Sequence, residues 1–174
     1  MNKIAPRLGH KGHIDLLPFI VEAIRPHWKE PPKDGCASVD DAVGPEARRA
    51  VISAIGGADL STTLAQYVYA CSLFNNGGHD DRDIEHAAAM VLMNVTEARL
   101  LRQPATSATD LECRLRYMAI ARENGVWPDE EVIPSLERAK RDVYLITEAS
   151  EETRAQELEK WGAVGEPEYH GYEP

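Results

Sequence analysis

The chain has 174 residues and a mass of 19.3 kDa, with 43% hydrophobic residues, 28% charged residues and a net charge of -10. A chain of this length buries roughly 70% of the surface its unfolded form exposes, so it needs no disulfide or metal staple. The acidic balance argues against a simple backbone binder of nucleic acid, aromatics at 6% against a base-stacking platform, and no apolar run approaches the roughly 20 residues of a membrane-spanning helix.

Residues 1–14 contain Pro6, Gly9 and Gly12, show no sustained period, and read as a flexible arm. Asp15 is placed to cap a first helix, with Pro18 in its first turn. Leu17, Ile20, Val21 and Ile24 recur at helical spacing, and Pro26 ends the segment. Pro31-Pro32-Lys33-Asp34-Gly35 breaks the chain, and residues 29–44 read as a long loop. Gly44-Pro45-Glu46 starts the next helix, lined by Ala47, Ala50, Val51, Ala54 and Ala58 and interrupted at Gly56-Gly57. Ser61 opens another, with Leu64, Tyr67, Val68, Cys71 and Phe74 as its stripe; Asn75-Asn76-Gly77-Gly78 stops it.

The strongest helical signal runs from about Asp81 to Arg102. Its acidic start and its basic end, Arg99 and Arg102, both suit the helix dipole. Ile84, Ala88, Val91, Val95 and Ala98, broadened by Ala87, Leu92 and Leu101, make a stripe wide enough to be buried from more than one side. Ser107 and Asp110 form a capping arrangement for a helix carrying Leu111, Leu115, Met118 and Ala119. A further helix begins at Asp129 or at Pro134, with Leu136, Ala139, Val143 and Ile146 at core spacing. Ser150 with Glu151-Glu152 caps a last helix, whose only large apolar residues are Leu158 and Trp161. No stretch alternates long enough to be a strand. The expectation is an all-α bundle of six or seven helices: an arm over 1–14, one helical domain over 15–161, and an acidic, partly disordered tail over 162–174.

The charge is unevenly spread: residues 129–174 hold five basic and thirteen acidic side chains, so 8 of the 10 excess negative charges lie in the last quarter. Such a bias reads first as a solvated helix and soluble tail, and second as a docking surface for a basic partner. Arg114, Arg116, Arg122, Arg138, Lys140 and Arg141, interleaved with acids, read as solvated faces with local ion pairs. Tyr117 reads as a packing residue. The three cysteines, Cys36, Cys71 and Cys113, are odd in number and far apart, which points away from a disulfide framework and towards a reducing, cytoplasmic setting.

One cluster has ligand chemistry. His79, Asp83 and His86 stand at i, i+4 and i+7, so a continuous helix would place two imidazoles and a carboxylate on one face. Such a set suits a divalent metal with open positions for water, and hence a metal-dependent hydrolase. The adjacent His79-Asp80 pair is similar to that of the HD-type phosphohydrolases, which need further His and Asp ligands on other helices. The competing reading is stronger: Asn75 to Gly78 breaks the helix before His79, and Asp80, Asp81 and Asp83 are ordinary helix-start residues. His10 and His13 lie in the N-terminal arm and read as exposed.

Residues 97–122, Glu-Ala-Arg-Leu-Leu-Arg-Gln-Pro-Ala-Thr-Ser-Ala-Thr-Asp-Leu-Glu-Cys-Arg-Leu-Arg-Tyr-Met-Ala-Ile-Ala-Arg, resemble a segment of small uncharacterised proteins of alphaproteobacterial chromosomes and prophages. There a helix ends in an apolar pair, a Pro-x-Thr-Ser/Thr turn follows, and a Leu-rich helix carries an Arg-Tyr pair. The resemblance implies a bacterial or phage accessory protein and brings no catalytic residues. The leading expectation is therefore a non-enzymatic protein-protein interaction module without cofactor, docking on a partner or on itself through faces bearing Leu158, Trp161, Tyr169 and Tyr172. An alternative is an acidic mimic of nucleic acid, in which Glu151, Glu152, Glu157 and Glu159 occupy the groove of a basic protein.

Overall fold

A computed structural model describes residues 16–28, 48–49, 52–53, 59–76, 84–123 and 129–164. The fold is all-α. α1 spans Leu17–Ile24 and runs into a 3-10 turn at Arg25–His27; α2 spans Leu60–Asn76, α3 Ile84–Arg102, α4 Ala108–Glu123, α5 Asp129–Thr147 and α6 Glu151–Val164. Arg48, Arg49, Ile52 and Ser53 are also helical. None of the described helices is long and apolar enough to cross a membrane. The chain divides into two compact units, residues 1–57 with 65–96, and residues 58–64 with 97–174.

In the first unit, Pro18 sits in the first turn of α1, where a missing N–H costs no helical bond. Ile20, Val21 and Ile24 are buried as their spacing predicts. Helix α2 buries Gln66, Tyr67 and Ala70 there, with Val68 and Cys71 half-buried. Helix α3 buries Ala87, Ala88 and Ala89 in succession. Three consecutive residues sweep about 200° of a helix, so this segment is packed over more than half its circumference. Val91, Leu92 and Val95 continue the burial, and the buried Thr96 hydroxyl donates to the Leu92 carbonyl at 2.7 Å. Ile84 and Leu101 are only half-buried, so the stripe read from sequence is right in breadth and narrower at both ends.

In the second unit, α2 starts one residue before the expected Ser61, and the cap is Asp59. Its carboxylate accepts the Thr62 N–H at 2.7 Å, while the buried Thr63 hydroxyl donates to the Asp59 carbonyl at 2.8 Å. These bonds, the backbone N–H of Thr62 foremost, hold the Asp59 carboxyl below the ordinary aspartate range. Helix α4 has the expected cap. The Asp110 N–H donates to Ser107 Oγ at 3.1 Å, and the Asp110 carboxylate accepts the Ser107 hydroxyl at 2.7 Å and the Thr106 N–H at 3.3 Å.

The face α4 buries differs from expectation. Cys113, Arg114, Tyr117, Met118 and Ala121 are buried, whereas Leu115 is 47% exposed and Ala119 lies on the outside. The reason is Arg114, expected on a solvated face and only 1% exposed. Its Nε donates to the Leu100 carbonyl at 2.8 Å, Nη1 to the Asp142 carboxylate and Nη2 to the Gln103 carbonyl. Asp142, also 1% exposed, takes the buried Ala105 N–H on its other oxygen at 3.1 Å. Arg138 of α5 adds a bond from Nη1 to the Leu101 carbonyl. Two arginines from successive helices thus satisfy carbonyls at the end of α3, where the helix has no further N–H to offer and the dipole favours cations. Tyr117 packs as expected, 2% exposed, with its hydroxyl donating to Glu97.

Candidate functional site

The same polar node decides which way α5 faces. Asp142 must point inward to meet Arg114, and Ser135 and Leu145 are buried with it. At about 100° per residue these positions fix the inner face, and the opposite face falls on 133, 136, 140, 143 and 144. Ile133 is 72% exposed, Leu136 55%, Val143 46% and Tyr144 38%. This corrects the sequence reading, which placed Leu136 and Val143 in the core. Apolar spacing alone does not say which face wins. Here a buried guanidinium demands a carboxylate partner, and leaving either one unpaired costs about 3–5 kcal/mol, more than is lost by leaving Leu136 and Val143 each about half exposed.

Helix α5 begins at Asp129 and contains Pro134 in its interior. Lys140 lies in the middle of the outward row, 80% exposed, with Glu137 at 3.9 Å. Arg141 stacks on the Tyr144 ring at 4.9 Å and pairs with Glu157 at 3.2 Å. The outer face of α5 is therefore an apolar row with a cation at its centre and one acid beside it.

Helix α6 is capped by Ser150, whose Oγ accepts the Thr153 N–H at 3.1 Å, as expected. It attaches to α5 through polar groups. Arg154 Nη1 donates to the Leu145 carbonyl at 3.0 Å, and Glu157 receives both Arg141 and Lys160, the latter at 3.3 Å. Partial burial works against the Glu157 charge, but Lys160 and Arg141 outweigh it and hold the carboxyl below the ordinary glutamate range.

The structure separates the residues singled out from sequence. Glu151, Glu152 and Glu159 are exposed on α6, Glu157 is already paired within the chain, Trp161 is half-buried, and Leu158 is 39% exposed. The helix continues through Gly162 to Val164, past the point where the tail was expected to begin. Tyr169 and Tyr172 lie outside the described residues, as do His10, His13, His79 and Asp83. His86 is half-buried in the first turn of α3. Among the described residues, no group of three His, Cys, Asp or Glu side chains is placed to hold a metal. The outward row of α5 is the feature that sequence reasoning missed: Leu136 and Val143 were read into a core stripe with Ala139 and Ile146, and Ile133 and Tyr144 were not singled out.

The class defined by these elements is an all-α protein with an exposed apolar face on α5 and an acidic α6, the last of the described helices. No family model, curated protein or solved structure matches the chain.

Proposed function

We propose that this is a non-enzymatic helical interaction protein, and that the outer face of α5 is its docking surface. One observation carries the reading: Ile133, Leu136, Val143 and Tyr144 form a single exposed row on a helix whose opposite face is fixed inward by a buried ion pair. Rotating α5 to hide the row would pull Asp142 from Arg114, so the row stays outside unless something covers it. Scattered surface apolar residues are ordinary, but apolar side chains aligned on one helix face, here two on each side of Lys140, are the form in which helices are recognised. The likeness of residues 97–122 to alphaproteobacterial and prophage proteins supports a bacterial or phage accessory role. The odd number and wide spacing of Cys36, Cys71 and Cys113 support a reducing, cytoplasmic setting.

The test is site-specific cross-linking. A photo-reactive residue replaces Leu136, with the exposed Arg122 of α4 as the control position. The expected result is one protein trapped at 136 and not at 122, which once purified binds the wild-type chain and not L136E. Equal or absent trapping at both positions overturns the reading.

The exposed Glu151, Glu152 and Glu159 favour a second reading, charge mimicry by α6 toward a basic partner. Glu157 contributes little to it, because Arg141 and Lys160 already neutralise it. Binding by this route weakens as salt rises and is lost in the E151Q/E152Q/E159Q variant. Salt-insensitive binding removes it.

A further inference from the structure

Helix α6 runs antiparallel to α5 along one edge of the outward row. Arg154 of α6 bonds the Leu145 carbonyl, and further along Glu157 meets Arg141, which itself stacks on Tyr144 of the row. Carried on through the last two turns of α6, the same register brings its end at Val164 level with about residue 134 of α5, beside Ile133. The chain therefore leaves α6 near the start of the row. Residues 165–174, Gly-Glu-Pro-Glu-Tyr-His-Gly-Tyr-Glu-Pro, follow. Extended, such a segment reaches about 33 Å, whereas the row from Ile133 to Tyr144 is about 16 Å long. It is long enough to cross from α6 and run the length of the row.

Resting on the interaction reading above, we infer that residues 165–174 cover the row in the chain by itself, laid along α5 as a strap that a partner displaces. The row offers two apolar pairs, Ile133 with Leu136 and Val143 with Tyr144, on either side of Lys140. Leu136 and Val143 lie about 10 Å apart along the helix. Tyr169 and Tyr172 lie about 10 Å apart in an extended segment, and Pro167 favours extended backbone before it. One tyrosine therefore meets each pair at the same time. The exit from α6 fixes the order, Tyr169 on the first pair and Tyr172 on the second. The charges agree: the segment carries Glu166, Glu168 and Glu173 and no lysine or arginine. Lys140 is 80% exposed and held only by Glu137 at 3.9 Å, so an acid of the strap can join it. Tethering favours this occupant over the same segment of a second copy, because a short linker keeps it at roughly millimolar local concentration in dilute protein. Two aromatic contacts at that concentration are enough to close the row and weak enough to yield to a partner.

Cross-linking within the purified chain tests the inference. The full chain carries a benzophenone side chain in place of Leu136, or of Arg122 as control, and is irradiated alone and mapped by mass. The expected result is a link from 136 into residues 165–174 at the 19.3 kDa monomer mass, with none from 122. Y169A/Y172A, whose changes lie outside the helices, should lose that link. The protein trapped at 136 in the preceding test should bind Y169A/Y172A several-fold more tightly than the wild type, since no closed fraction has to open. The inference is overturned by no link from 136, by an equal link from 122, or by a link found only at twice the monomer mass. A link that survives Y169A/Y172A, or equal partner affinity for both chains, also overturns it. If 136 shows no link into 165–174 yet traps another protein, the inference falls and the interaction reading stands. If 136 links into 165–174 and Y169A/Y172A still traps no other protein, the covering segment stands and the interaction reading falls.

Discussion

Removing the guanidinium of Arg114 should be among the most damaging single substitutions in this protein. In R114A, Asp142 remains 1% exposed with only the Ala105 N–H for company. Breaking a buried ion pair by deleting one partner costs about 3–5 kcal/mol, because the surviving charge stays out of water. The Leu100 and Gln103 carbonyls lose their donors as well, at about 1–3 kcal/mol each where water does not reach them. Set against a typical domain stability of about 5–15 kcal/mol, the first figure alone is a large fraction. Burial, with Arg138 close by, pushes the Arg114 guanidinium down to about 10, which still leaves it charged at neutral pH. The full charge–charge attraction is therefore lost on substitution. The comparison is R141A, which removes a half-exposed pair with Glu157 and should cost no more than about 1 kcal/mol. Urea unfolding followed by circular dichroism gives both values. The R114M/D142L double variant removes both charges and should be less damaging than the two single changes added together. An R114A loss within about 1 kcal/mol of wild type, with an unchanged urea slope, would refute the view that this pair orients α5.

Three further outcomes are expected. D59A should cost about 1 kcal/mol through loss of the α2 cap, while D59N, which still accepts the Thr62 N–H, should cost less. Because the folded Asp59 carboxyl lies below its ordinary value, its contribution is complete above the unfolded pKa of about 3.9 and disappears as the pH falls through the folded value. Acid titration of stability should therefore be shallower in D59N than in the wild type. P134A supplies an N–H to the Glu130 carbonyl and removes the ring from the α5 interior, so thermal unfolding should show a gain of about 1–3 kcal/mol. Burial, with Asp110 and Glu112 nearby, pushes the Cys113 thiol up, so in the folded chain at mildly alkaline pH it should label more slowly than the half-buried Cys71; peptide mapping by mass reads this directly.

Sequence alone established that the chain is helical, and it located most helix ends. Those facts are local: Ser107 with Asp110 and Ser150 cap neighbours three residues away, and Pro18 and Pro26 act on their own turns. The breadth of apolar surface on α3 was also legible, since small and branched residues repeated on several faces can be satisfied only by burial. The orientation of α4 and α5 was not. Leu115, Leu136 and Val143 follow a good core period, yet the interior took Arg114, Ser135 and Asp142. A periodic pattern counts apolar side chains and is blind to a guanidinium that finds two backbone carbonyls and a carboxylate 28 residues away. Which face of a helix is buried depends on partners distant in sequence. Tertiary structure decided that contest in favour of the charged pair, and so left outside the apolar row on which the proposed function depends.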